Sequence, residues 1–191
     1  MNHALTSRLN RILPTITSDG FLSGKGLGNE IAFYIFDYPP EDELPIREHI
    51  RFLLEHIPKH KPGLRVTHVN LLDFVLDHLR QRRLLDKAIQ MQKTKGDAFV
   101  QKHLATILHP NKLAPVFAEI AQPDQHDLVL VSGVGSVYPM LRAHVLLNNL
   151  HAVMGQTPLV VFYPGRYDGQ SLRLFGKLTN GNYYRAFKLV P

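Results

Sequence analysis

The sequence of 191 residues contains no cysteine. That single absence excludes disulfide scaffolds, thiol nucleophiles and cysteine-ligated zinc together. Long apolar runs are also missing. The stretch poorest in charge is interrupted by Ser132, Gly133, Gly135, Pro139, Arg142, Asn148 and Asn149, which makes it a poor membrane span. The first residues, MNHALTSRLNRILP, carry arginines and lack the apolar centre of a signal peptide, so a cytoplasmic protein is expected. Acid is scarce: 22 Lys and Arg face 16 Asp and Glu, a formal net charge of +6. A basic balance favours acidic partners such as nucleic acid. Here, however, the basic residues are scattered and show no interleaved aromatic pattern.

What is present is ordinary for a globular chain, with 45% hydrophobic and 20% charged residues. The length suits one domain spanning 1–191. Its centre is Asp127 to Tyr163, in which Arg142 is the only formally charged residue after Asp127. Leu128 to Val131 is a continuous apolar run of the kind found in strands covered on both faces. Gly133 and Gly135 break it, and Ser136 is placed to cap a helix from about Val137 that carries Met140, Leu141 and Leu146. Leu159 to Tyr163 then closes a strand, helix, strand unit.

Around this unit the apolar spacing predicts a helix over 2–16 that ends or kinks at Pro14. A glycine-rich loop follows, including GKGLG from Gly24 to Gly28. A strand over Ile31 to Phe36 is terminated by Asp37 and Tyr38, and a helix with Ile46, Ile50, Leu53, Leu54 and Ile57 on one face ends at Pro58. A second strand covers Leu64 to Val69. Residues 84–121 show no strand signal and form a helical insertion between the second and third strands. Pro164 to Gln170 reads as a loop, Leu172 to Phe175 is ambiguous, Asn180 and Gly181 mark a turn, and Tyr183 to Val190 is a last strand. The fold class is therefore α/β: a Rossmann-like, mostly parallel sheet of about five strands flanked by helices.

No catalytic motif is complete. The turn SGVGS sits where α/β proteins hold phosphate, but Gly135 is followed by Ser136, Val137 and Tyr138, without the lysine of a P-loop or the third glycine of a dinucleotide site. A tight turn with no ligand explains it equally. His56 and His60 are separated by Pro58, His144 and His151 have no acidic neighbour, and no HExxH occurs, so no metal or cofactor is expected. Ser132 or Ser136 with His144 and Asp168 would make a catalytic set, yet no GxSxG elbow is present. Ligands in open α/β sheets collect beyond the carboxyl ends of the strands. The candidate crevice there comprises Asp37, Ser132, Gly133, Gly135, Ser136, Tyr138, Arg166 and Asp168. Asp37, Arg166 and Asp168 would form either a polar cluster or a salt bridge pinning the last loop.

Several long stretches carry a family resemblance: KGLGNEIAFYIFDYPPEDE, REHIRFLL, VNLLDFVLDHL, HDLVLVSGVGSVYPMLRAHVLLNNL, TPLVVFYPGRYDGQSLRLFGKL and NYYRAFKLVP. From about Gly24 to Pro191 the chain resembles the BrxB family, small components of the BREX phage-defence system. The resemblance implies an interaction or adaptor subunit that acts in a complex with other BREX proteins, a PglZ-like protein first among them. It transfers no catalytic residues. The alternative is a nucleotide- or nucleic-acid-binding subunit that uses the turn from Ser132 to Tyr138.

Overall fold

Leu5, Leu9, Ile12 and Ile16 recur on one side of the first helix, α1 (His3–Ile16), and all four are buried. The structure, a computed structural model, describes residues 3–24, 32–183 and 186–191. The GKGLG stretch beyond Gly24 and the expected strand start at Ile31 lie outside the described residues. Pro14 falls inside α1 without ending it. A short helix, α2 (Asp19–Leu22), is capped by Ser18.

β1 (Phe33–Tyr38) runs two residues further than its aromatic and β-branched pattern suggests, so Asp37 and Tyr38 belong to the strand. α3 (Glu43–His60) buries Ile46, Ile50, Leu53 and Ile57 and continues through Pro58 in its final turn. β2 (Val66–Asn70) leads directly into α4 (Leu71–Gln81), whose first amides are accepted by the Asn70 side chain. The insertion resolves into three helices, α5 (Leu85–Lys95), α6 (Asp97–Leu104) and α7 (Pro110–Ala121).

β3 (Leu128–Ser132) is buried at every residue, as its unbroken apolar run requires. The segment after it departs from the sequence expectation. Gly133, at φ 74°, precedes a short helix, α8 (Val134–Val137), so Ser136 lies inside a helix and caps nothing. Pro139 follows a cis peptide bond, and the main helix, α9, begins only at Ala143 and ends at Leu150. Met140 and Leu141 therefore precede it.

β4 (Leu159–Tyr167) absorbs the expected loop start, and its residues Gly165, Arg166 and Tyr167 pair antiparallel with β5 (Ser171–Leu174). The ambiguous stretch is thus a strand, because β4 offers it an unpaired edge. Asn180 and Gly181 lie within β6 (Leu178–Tyr183), antiparallel to β5, and not at a turn. The last strand is short, β7 (Phe187–Lys188), beside β1.

The main sheet has the order β2-β3-β4-β1-β7, and each of its neighbouring pairs is parallel. This is a Rossmann-like α/β arrangement of five parallel strands, with β5 and β6 as an antiparallel extension of β4. One face packs Phe36, Leu128, Leu130, Val160 and Phe162 against α1 and α3. The other packs Phe33, Ile35, Val129, Val131 and Val161 against the helices that follow β2 and β3. The chain crosses from β1 to β2 over the first face and returns through β3 to β4 over the second. Reversing both direction and face keeps one hand for all the crossovers.

Candidate functional site

The residues expected at one crevice divide into three places. Asp37 is 9% exposed at the carboxyl end of β1. Its Oδ1 accepts from Arg8 Nη2 at 2.7 Å, and its Oδ2 accepts from the Tyr167 amide at 3.0 Å. Asp37 thus pins the extension of β4, but its cationic partner is Arg8 from α1 and not Arg166. An arginine so distant in sequence leaves no local signal.

Ser132, Gly133, Gly135 and Ser136 occupy the turn after β3, which is filled by protein. A Cβ on Gly133 would stand 2.3 Å from Asn70 Oδ1, the oxygen that caps α4. A Cβ on Gly135 would stand 2.9 Å from both Phe175 and Pro164. Glycine is required at these positions for close packing of neighbouring segments, which leaves no cradle for a phosphate. α8 is also a single turn and offers no extended array of free amides.

Both serine hydroxyls are engaged. Ser132 Oγ lies 2.8 Å from His68 Nε2, and Arg47 Nη2 donates to Ser136 Oγ at 3.0 Å. Arg47 also pairs with Glu43, whose second oxygen accepts from the Tyr38 hydroxyl. The serine set with His144 and Asp168 that the sequence argued against does not assemble at Ser132, whose histidine is His68. Among the described residues no carboxylate hydrogen-bonds His68. Burial holds the His68 pKa below its ordinary value, so the ring is neutral at pH 7.

Arg166 and Asp168 share an open basin of about 300 Å³ with Arg173 and Lys188. Asp168 organises its own loop: it accepts from the amides of Gln170 and Ser171 and from the Ser171 hydroxyl, at 2.7–2.9 Å. The Ser171 amide and hydroxyl, with the Gln170 amide, hold its carboxyl well below the usual range. His56, in turn, shares α3 with His60, because Pro58 does not break the helix; its Nδ1 bonds the Phe52 carbonyl at 2.8 Å.

Two concavities went unread in the sequence. The first, about 310 Å³, lies between Tyr138, the start of α9 and the β5–β6 hairpin, with Tyr163 at its wall. Of its residues Tyr138 was expected at a site and His144 was weighed in a catalytic set; Arg142, Tyr163 and Lys177 come together through the hairpin, which sequence patterns did not reveal. The second is an apolar groove of about 560 Å³ among α4, α5 and α6, bordered by Leu76, Leu85, Ile89, Val100 and Met140. Its signal was present as Ile89 among charged residues. No described helix is long and apolar enough to cross a membrane.

Comparison with known proteins is consistent with this frame. The family model described as BREX protein BrxB matches residues 67–189. A BREX protein BrxB from Bacillus cereus (strain H3081.97) is 41% identical over 190 residues, covering 97% of each chain. Another, from Escherichia coli O9:H4 (strain HS), is 40% identical over 188 residues, covering 98% of this chain and 92% of its own. No solved structure matches. A family match over more than half the chain and two near-full-length relatives make the chain a member of the BrxB family, a component of the BREX phage-defence system.

Proposed function

We propose that this protein is a non-enzymatic adaptor that acts in a complex with other BREX proteins, and that its first partner is a PglZ-like protein. The observation that carries this reading is the groove among α4, α5 and α6. Monomeric proteins seldom leave an apolar concavity of this size uncovered. Ile89 within it is 41% exposed. Its helices carry a slight basic excess: Arg80, Lys87, Lys93, Lys95 and Lys102 against Asp73, Asp77, Asp86 and Asp97. The occupant that fits is an amphipathic helix of the partner, with apolar residues at helical spacing and acidic flanks. The closed turn at Gly133 and Gly135 supports the non-enzymatic part of the reading. It also gives little support to the alternative of phosphate binding between Ser132 and Tyr138.

The test is co-purification of the tagged full chain with the other BREX components. The expected result is capture of the PglZ-like protein by the wild type and its loss on Ile89→Glu. Assembly of the other components in normal yield without this chain, which itself elutes alone, defeats the adaptor reading.

A further inference from the structure

We propose that the cavity between the start of α9, the end of β4 and the β5–β6 hairpin binds the phosphate of a small phosphorylated ligand. The site lies beyond the carboxyl ends of the parallel strands, where α/β sheets collect ligands. Its volume of about 310 Å³ is within the range of small-molecule pockets. The inference does not depend on the adaptor reading, which concerns a different surface.

Three independent features converge on an anion. Arg142 and Lys177 both line the cavity, both are exposed, and neither forms an ion pair among the described residues. No aspartate or glutamate stands among the described lining residues, so the two positive charges face the same space without compensation. Arg142 is also the residue preceding α9, and no side chain caps that helix end. Ala143 lines the cavity, and its amide has no hydrogen-bond partner among the described residues. Uncapped amides and the positive end of the helix dipole favour an anion at this point.

Tyr163 supplies the third feature. It is 2% exposed and lines the cavity, yet its hydroxyl has no hydrogen-bond partner among the described residues. A hydroxyl lining the cavity can donate to an oxygen of the ligand phosphate. Burial raises the Tyr163 pKa, so the group remains a donor at all physiological pH. Tyr138, 37% exposed and edge-on to Phe175 at 6.2 Å, presents a ring at the rim for the non-phosphate part. The ligand class is a phosphate monoester no larger than a mononucleotide.

The experiment titrates the full chain with inorganic phosphate, AMP and adenosine at low and high salt, by calorimetry and by amide NMR. Phosphate and AMP are expected to bind, to shift the Ala143 amide resonance and to weaken with salt, while adenosine does not bind. Arg142→Ala and Lys177→Ala are each expected to weaken binding about tenfold, and Tyr163→Phe by a few-fold. Because Arg142 and Lys177 are exposed, these two variants should keep the wild-type unfolding midpoint. Binding of inorganic phosphate without AMP also supports the site and narrows the ligand to a smaller ester. The proposal is overturned if neither phosphate nor AMP binds at low salt, or if adenosine binds as well as AMP. Unchanged binding in the Arg142→Ala/Lys177→Ala double variant, or binding of a single-stranded oligonucleotide alone, also overturns it. None of these results bears on capture of the BREX partner.

Discussion

Arg8 and Asp37 join four segments of the chain through one ion pair. Arg8 Nη2 donates to Asp37 Oδ1 at 2.7 Å and to the Val190 carbonyl at 3.2 Å, while Arg8 Nη1 donates to the Asp37 carbonyl at 2.8 Å. The other Asp37 oxygen receives the Tyr167 amide, and the Arg8 guanidinium stands 4.7 Å above the Phe36 ring. The first helix, the end of β1, the extension of β4 and the C-terminal residues therefore meet at a polar node above the sheet.

Arg8→Ala should lower stability by about 2–3 kcal/mol, because the buried Asp37 carboxylate would keep its desolvation cost without its cation. Asp37→Ala should cost a similar amount. The double variant should cost clearly less than the sum, since each single change already breaks the same node. Urea unfolding of the four proteins measures this; additive costs would show that the two side chains act separately.

Gly133→Ala should destabilise by about 2–3 kcal/mol. Its φ of 74° disfavours any side chain, and the new methyl would displace Asn70 Oδ1 from its cap on the Leu72 amide. The strain contributes about 1–2 kcal/mol and the lost cap about 1 kcal/mol. Asn70→Ala alone should recover only the capping part, so a comparison of the two unfolding midpoints separates the causes.

The buried histidines predict acid sensitivity. His68 and His78 have pKa values below the ordinary 6.5, in both cases chiefly through burial, with Arg82 adding to the effect at His78. The unfolded chain therefore binds more protons than the folded one as pH falls below 6.5. Stability is full above that pH and declines as pH drops from about 6.5 towards the depressed folded values. Urea midpoints from pH 8 to pH 5 should fall with acid, and His78→Leu should flatten the slope. A midpoint independent of pH over this interval would refute the assignment.

Ile89→Glu should leave folding nearly untouched, within about 0.5 kcal/mol, because Ile89 is 41% exposed. The same substitution places a charge inside the α4–α6 groove and should abolish partner capture. Circular dichroism melts alongside pull-down yields test both halves.

Much of the frame was legible in the sequence. The apolar face of α3 and the unbroken run of β3 specify their elements locally, since 3.6-residue spacing and continuous burial leave little choice. Pro58 was overread as a helix end: α3 continues through it to His60. β5 and β6 were obscure because short strands draw their stability from the edge they join, here the extension of β4. The candidate crevice residues fall in three places for a related reason. Gly133 and Gly135 lie where a ligand turn would sit without completing its motif, and Asn70, Phe175 and Pro164, brought in from elsewhere, pack closely against them.

The sequence alone determined the class of the protein: no cysteine chemistry, no complete catalytic motif, a buried βαβ centre and the BrxB relationship. These follow from composition, periodicity and long matching stretches, all of which are local properties of the chain. The tertiary structure decided where Asp37 finds its cation, why the glycine turn is closed, and that Arg142, Tyr163 and Lys177 face one cavity. Such pairings depend on which strand lies beside which, and the strand order is set by the global packing of two helical layers on one sheet.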